Sequence, residues 1–349
     1  MSGFLIYGAN GYTGRLIVAE ALRRNLAPVL AGRNREALAA MGAEFGLSWR
    51  AFDLTDAAAL RREFDGQPLV LNCAGPFSQT ARPVLDACLA TRAHYLDITG
   101  EIDVFALCHR AHEEAVARGI VVAPGTGFDV VPTDCVAALL KQRLPDATHL
   151  VLAFEAGGGP SPGTAKTSVE GLAKGGRARI DGKLVEVPLA WKSRSFLRDG
   201  QARSAMTIPW GDVYTAYIST GIPNIETYMT VSPATIARVR RLRLIRPLLG
   251  LAPVQAWLKR RAAATPGPDA GRRERSDCRV WGEAHNAAGA EAKLQLAAPN
   301  GYALTATASV GMVCRVLSGG PAATGFHTPS QLMGADYVLG LPGVRLIDG

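Results

Sequence analysis

The 349-residue chain has only six cysteines, at positions 73, 88, 108, 135, 278 and 314, and all of them stand far apart in sequence. With no CxxC pair, a zinc knuckle or a thioredoxin-type centre is excluded. Isolated thiols with apolar neighbours suit a reducing compartment, where they pack as small hydrophobes. No apolar run is long enough to cross a bilayer as a helix, so no stretch reads as a membrane span. The opening Met-Ser-Gly-Phe-Leu-Ile-Tyr-Gly carries no basic region, hydrophobic region or cleavage site and reads straight into a strand. The expectation is a soluble, cytoplasmic protein. Charge is also scarce, at 19% against 48% hydrophobic residues, which excludes disorder over most of the length.

Basic residues are not in short supply, but they are unevenly placed. The net charge is +8. Between Arg238 and Arg275 there are 11 basic and 2 acidic residues, an excess that accounts for the whole positive balance. A nucleic-acid-binding domain is therefore not implied outside that segment.

The first third alternates strand and helix. Strands are expected at Phe4–Tyr7, Pro28–Ala31, Trp49–Phe52, Leu69–Asn72, His94–Asp97 and Ile120–Ala123, with helical patterns between them. Continuous apolar strands separated by helices call for a doubly wound parallel sheet covered on both faces. After Pro145 the pattern becomes Leu150–Ala156, a Gly/Pro loop at 157–163, a helix at Thr164–Ala173, then short strands at Lys183–Val187, Ala205–Ile208, Tyr228–Val231, Ala292–Ala298 and Leu304–Val310. That pattern predicts an α+β domain with a largely antiparallel sheet. Residues 262–276 read as an exposed loop, and Gln331–Leu341 as a terminal helix. The expected division is a nucleotide-binding domain over 1–128, a second domain over 129–325, and a C-terminal helix within 326–349 that returns to the first domain.

Gly8-Ala-Asn-Gly11-Tyr-Thr-Gly14 joins the first strand to the first helix. Glycines there let backbone N–H groups approach a pyrophosphate, which the helix N-terminus favours electrostatically. Asn10, Tyr12 and Thr13 add side-chain donors. A site that prefers NAD carries an acid about 20 residues further on, against the ribose 2′-hydroxyl. Here the second strand ends Gly32-Arg33, so a guanidinium stands ready for a 2′-phosphate, and NADP(H) is the expected cofactor. Glu36, three residues on, is a second group within reach of the ribose. Asp53 and Leu54 are expected beside the adenine, with a helix cap the alternative for Asp53. Cys73-Ala74-Gly75-Pro76-Phe77 is expected along the nicotinamide ribose, with Cys73 packing rather than reacting.

Proton donors are sought among Asp97, Glu101, Asp129, Lys166, Asp212, Tyr214 and His327. Asp129 follows the sixth strand, at the edge where doubly wound sheets bind ligands. Lys166 follows the Gly/Pro loop at a helix start, a place from which it can stabilise an oxyanion. These two are the catalytic candidates. No Ser/His/Asp arrangement and no Ser-Tyr-Lys spacing is legible. His109 and His112 stand three residues apart in neither order of a zinc-protease motif; they read as a solvated helix face, and no metal is expected.

These motifs, with Asn72–Phe77, Tyr95–Glu101, Gly127–Asp134, Gly163–Thr167, Glu170-Gly171, Pro209–Asp212, Ser219–Glu226 and Gly325–Pro329, resemble those of the saccharopine dehydrogenase-like oxidoreductases. Within that family the chain looks most like the branch of trans-acting enoyl reductases of lipid biosynthesis. The resemblance implies NADPH-dependent reduction of an acyl carbon–carbon double bond. Imine reduction of an amino-acid substrate, as in true saccharopine enzymes, is the alternative, and a cofactor-binding scaffold without turnover is another.

Finally, Arg238–Ala264 joins a basic cluster to Leu244–Val254, Trp257 and a second cluster, Lys259–Arg261. Pro247, Gly250 and Pro253 interrupt any long helix. The segment suits a lipid surface or an acyl-carrying partner; a flap over the pocket or a homodimer contact are the other readings.

Overall fold

The computed structural model describes residues 3–264, 267–319 and 324–347. Two compact units emerge: residues up to Val131 with Tyr302–Gly334, and Pro132–Gly301 with the residues from Ala335 onward. The sequence boundary at 128/129 compares with a division at Val131/Pro132, whereas the one at 325/326 does not: Tyr302–Gly334 joins the first unit and the residues from Ala335 onward the second.

The first unit begins β1 (Leu5–Tyr7), α1 (Tyr12–Arg23), β2 (Val29–Gly32), α2 (Arg35–Phe45), β3 (Trp49–Ala51) and α3 (Ala57–Phe64). It continues β4 (Leu69–Asn72), α4 (Phe77–Thr91), β5 (His94–Asp97), α5 (Ile102–Arg110), α6 (His112–Arg118) and β6 (Val121–Ala123). Local chemistry sets several boundaries: the Asn34 side chain caps α2 by accepting from Ala37 N, and Asp56 caps α3 by accepting from Ala58 N and Ala59 N. β1, β4 and β6 are buried along their whole length, as a sheet covered on both faces requires.

α7 (Val131–Arg143) leads into β7 (His149–Ala156), α8 (Pro162–Lys174), β8 (Gly176–Ile180), β9 (Lys183–Val187), β10 (Ser193–Arg198) and β11 (Gln201–Thr207). Then come α9 (Asp212–Thr220), β12 (Asn224–Thr230), α10 (Pro233–Leu242), α11 (Arg246–Leu249), α12 (Ala252–Ala263) and α13 (Ala270–Glu274). β13 (Asp277–His285) and β14 (Glu291–Pro299) precede α14 (Gly301–Leu317), β15 (Gly325–Phe326), α15 (Pro329–Met333) and β16 (Arg345–Ile347).

The first sheet runs β15-β6-β5-β4-β1-β2-β3, and every pairing in it is parallel. The second runs β10-β11-β12-β7-β13-β14-β16, with β8 on β12 and β9 on β8; only β12–β7 is parallel. The chain is thus an α/β protein with a Rossmann-like sheet and a second, mixed, mostly antiparallel one.

Three sequence expectations are corrected. Leu304–Val310, read as a strand, lies inside α14, whose small and apolar residues bury most of their length and so mimic alternation. The terminal helix expected at 331–341 is only α15 plus a 3₁₀ turn at Tyr337–Gly340, because Gly334 ends α15. The loop expected over 262–276 contains the end of α12 and all of α13, which Asp269 caps through Arg272 N; positions 265 and 266 lie outside the described residues. Among the described residues no helix is long and apolar enough to cross a membrane.

Candidate functional site

The site grows from the end of β1. Its neighbours, β2 on one side and β4 on the other, lead the chain in opposite directions across the sheet, so the carboxyl end of β1 opens at the switch point where such sheets bind ligands. Gly8 turns the chain there with φ +83°, and Gly8 N and Ala9 N both donate to Ala31 O, at 2.7 and 3.1 Å. A Cβ on Gly8 would stand 2.8 Å from Ala74 N, and one on Gly14 only 2.3 Å from Gly8 O. Gly11 precedes α1 with no side-chain cap, which leaves the positive end of the helix for an anion. The Asn10 Oδ1 atom occupies space that a Cβ on Gly32 would approach to 3.0 Å. Tyr12 meets Tyr302 edge-on at 4.9 Å, and Thr13 is half-buried beside it. Glycine at 8 and 14 is thus required by close backbone-to-backbone packing of the turn, and the uncapped start of α1 is the feature that suits a pyrophosphate.

At the end of β2, Arg33 is exposed and forms no ion pair among the described residues; Asp53 is its electrostatic neighbour. Glu36 stands exposed in the first turn of α2. Asp53 is not the cap of α3, a role Asp56 fills. It makes its own turn, accepting from Thr55 N at 2.9 Å, and hydrogen bonds from Thr55 hold its carboxyl below the ordinary carboxylate range. Leu54 follows, half-buried.

The Cys73–Phe77 loop is fixed from below. Asn72, fully buried, donates to Thr80 Oγ1 at 3.1 Å and accepts from Ala74 N at 3.1 Å, while Thr80 Oγ1 donates to Ala74 O at 2.6 Å. The Gly75–Pro76 peptide is cis. Phe77 N and Ser78 N, opening α4, donate to the Glu101 carboxylate at 2.9 and 2.8 Å. Glu101 is therefore a helix cap. Burial, and next the Asp97 carboxylate, push the Cys73 thiol well above its usual range, so it stays a neutral packing group.

Asp97, fully buried at the end of β5, accepts from Tyr95 Oη at 2.6 Å and from Thr99 N and Gly125 N at 2.9 Å each. Burial lifts its carboxyl to about 6 against the pull of those donors. Asp97 thus ties β5 to the turn after β6. Asp129 differs. It forms no hydrogen bond or ion pair among the described residues, and it lies against Gly100, where an added Cβ would come within 3.0 Å of its own Cβ. Burial and the neighbouring Glu101 charge raise its carboxyl to about 7.

The other candidates scatter. Lys166 belongs to the second unit, half-buried on α8, again with no ion pair among the described residues. Asp212 is fully buried at the start of α9, and Tyr214, on the same helix, stacks with Arg179 at 5.9 Å. His327 follows β15 and donates through its backbone N to Val122 O. The two histidines read as a solvated face are instead an anchor: His112 Nδ1 accepts from Phe326 N at 3.1 Å, and His109 stacks on the Phe326 ring at 4.9 Å. β15 needs a partner on α6, and the sequence hides this because the two segments lie at distant points of the chain. Among the described residues no three His, Cys, Asp or Glu side chains gather as metal ligands. Sequence reasoning also missed Tyr302 and α14, whose only trace is Gly127, small because Thr305 lies 2.8 Å from where its Cβ would be.

Comparison with known proteins agrees with this geometry. The family model described as "Saccharopine dehydrogenase NADP binding domain" matches residues 4–121, so this part of the chain is an NADP-binding domain of that type. A saccharopine dehydrogenase-like oxidoreductase from Bos taurus is 29% identical over 172 residues, 43% of this chain and 40% of that protein. A trans-acting enoyl reductase from Mycobacterium leprae is 31% identical over 156 residues, 41% and 37%. The chain thus spans less than half the length of the curated relatives it matches. Among solved structures, apo saccharopine dehydrogenase (L-Glu forming) from Saccharomyces cerevisiae aligns over all of both chains with a TM-score of 0.66 at 11% identity, a likeness of fold.

Proposed function

We propose that this chain, built on a saccharopine dehydrogenase-type NADP-binding domain, is an NADPH-dependent oxidoreductase that reduces a carbon–carbon double bond of an acyl or similarly hydrophobic substrate. The observation that carries the reading is one sheet edge with two features on it: the Gly8–Gly14 cradle, and a shielded carboxyl at Asp129 with no partner of its own among the described residues. When bound, NADPH supplies the hydride. The chain's residues supply the rest. Gly8, Gly11 and Gly14 admit the pyrophosphate to the backbone, and the Arg33 guanidinium pairs with the 2′-phosphate. Asn10, Gly32, Asp53, Leu54 and the Cys73–Phe77 loop line the nucleotide's length.

Saturating a double bond takes a proton as well as a hydride. Asp129 holds one at its carboxyl near neutral pH, poised between donor and acceptor as a general acid should be. The choice of an enoyl substrate rests on the mycobacterial relatives.

The test follows loss of the reduced-nicotinamide absorbance with trans-2-enoyl thioesters, with an amino-acid-derived imine assayed alongside. Turnover should fall as pH rises through about 7, because the acid then loses its proton. Asp129→Asn should lower kcat by roughly a hundredfold or more and remove that limb of the profile. Tight NADPH binding with no turnover of either substrate would replace the reading with a cofactor-binding scaffold.

A further inference from the structure

We propose that the helical segment from Arg238 to Arg261, within the second unit, is a docking surface for a membrane of anionic lipid. Among the described residues ten large hydrophobic side chains are exposed, and five of them, Leu244, Ile245, Leu248, Leu251 and Trp257, fall within this one stretch. Leu244 is 87% exposed and Trp257 54%. Leu244 lies in a 3₁₀ turn at Arg243–Ile245, Leu248 in α11, and Leu251 in extended backbone just before α12, so the exposed apolar groups gather at the junctions of short helices. Large apolar groups gathered in water mark a binding surface rather than ordinary exterior.

The segment is fastened down, which argues against a loose flap. Arg243 donates to Leu189 O and Ala190 O at 2.6 and 2.7 Å, and Arg246 donates to Ala173 O at 3.1 Å. One side of α12 is tied to α8: Gln255 donates to Val169 O at 3.2 Å, and Lys259 pairs with Glu170 at 2.6 Å. The opposite side of α12 carries Pro253, Ala256, Trp257 and Arg260, all exposed. With the anchoring cations spoken for, Arg238, Arg241, Arg260 and Arg261 remain exposed with no ion pair among the described residues; Arg261 lies over the Trp257 ring at 5.0 Å.

Charge then selects the occupant. From Arg238 to Arg261 the sequence has eight basic residues and no acidic one. A protein partner with an apolar patch alone would leave four unpaired guanidiniums against it. A bilayer with anionic headgroups satisfies them while its outer acyl layer takes Leu244, Leu248 and Trp257, a shallow contact made by several short elements together. Proline at 247 and 253 keeps the helices short, so the contact is shallow.

The experiment is flotation of the full chain with vesicles of phosphatidylcholine, with and without phosphatidylserine, at low and high salt. The chain should float with the anionic vesicles at low salt and be released by high salt, whose ions screen the headgroups. Leu244→Glu/Leu248→Glu should abolish flotation. Arg241→Glu/Arg260→Glu should weaken partitioning by at least the roughly fivefold per lost charge that about 1 kcal/mol represents. Far-UV circular dichroism and a urea unfolding curve for each variant, unchanged from the parent chain, show that it is folded. Three results would overturn the proposal: no flotation of the parent chain at low salt, equal flotation of the variants, or a concentration-dependent dimer in sedimentation that Leu244→Glu/Leu248→Glu dissolves, which would make a second copy the occupant.

Discussion

The two sheets solve the problem of burial in opposite ways. In the first, short strands are almost purely apolar, and helices lie along both faces. In the second, most strands are longer, and buried positions alternate with half-buried ones along parts of β7, β12 and β14. On β10, Arg194, Phe196 and Arg198 share a face, and Phe196 packs with Tyr228, Trp281, Ala153 and Ala205. Around this aromatic island runs a ring of ion pairs: Arg194–Glu283, Arg198 with Glu155 and Asp277, and Lys192–Glu226. The Arg194 guanidinium also lies over the Phe196 and Tyr228 rings. Long cationic side chains thus roof an apolar strip. The first sheet frees its carboxyl edge for a ligand; the second spends its polar groups on itself.

That contrast can be broken or sharpened by substitution. The largest effect is expected at Gly14, where Val would drive a Cβ into Gly8 O. NADPH binding should vanish in a fluorescence titration, and thermal unfolding should move to lower temperature, because the close contacts are backbone. Next is Arg33→Ala, which should weaken NADPH by roughly tenfold or more, on the scale of one charge-assisted bidentate pair, and leave NADH nearly unchanged. Equal losses for both cofactors would remove Arg33 from the selection of NADP. The smallest is Arg198→Met in the second sheet. It should cost about 1 kcal/mol in urea unfolding, the scale of a solvent-accessible pair, and leave NADPH affinity untouched. A change in affinity there would erase the functional division between the sheets.

The same contrast explains what is legible in the sequence. Leu69–Asn72 and His94–Asp97 stand where the apolar runs put them, and the other early strands differ by a residue or so. Continuous burial leaves an unambiguous trace. β8, β10, β13 and β16 escape a reading by pattern because charges interrupt them. Arg279, nearly buried in β13, is tolerated only because Asp277 and Asp199 flank it, and no local pattern reports a partner as remote in sequence as Asp199. At the site, the glycines and Arg33 are visible as chemistry in a short motif. Glu101 as the cap of α4 and His112 as the anchor of β15 are not, since each acts on a distant backbone N–H.

The return of the chain to its first unit sets the order of events during synthesis. α14 supplies Thr305 Oγ1 to Phe128 N and Ser309 to Thr126, and β15 pairs with β6 through Gly325 and Val121. Until those residues emerge, β6 presents a bare parallel edge and the turn after it lacks its hydrogen-bond partners. At roughly 5–20 residues per second, the roughly 170 residues separating Val131 from Tyr302 hold the nucleotide unit incomplete for about ten to thirty seconds on the ribosome. An open strand edge is a template for pairing with other chains. The unit at the start of this chain is therefore among the last to finish folding, and the time it spends waiting is when it most needs a chaperone.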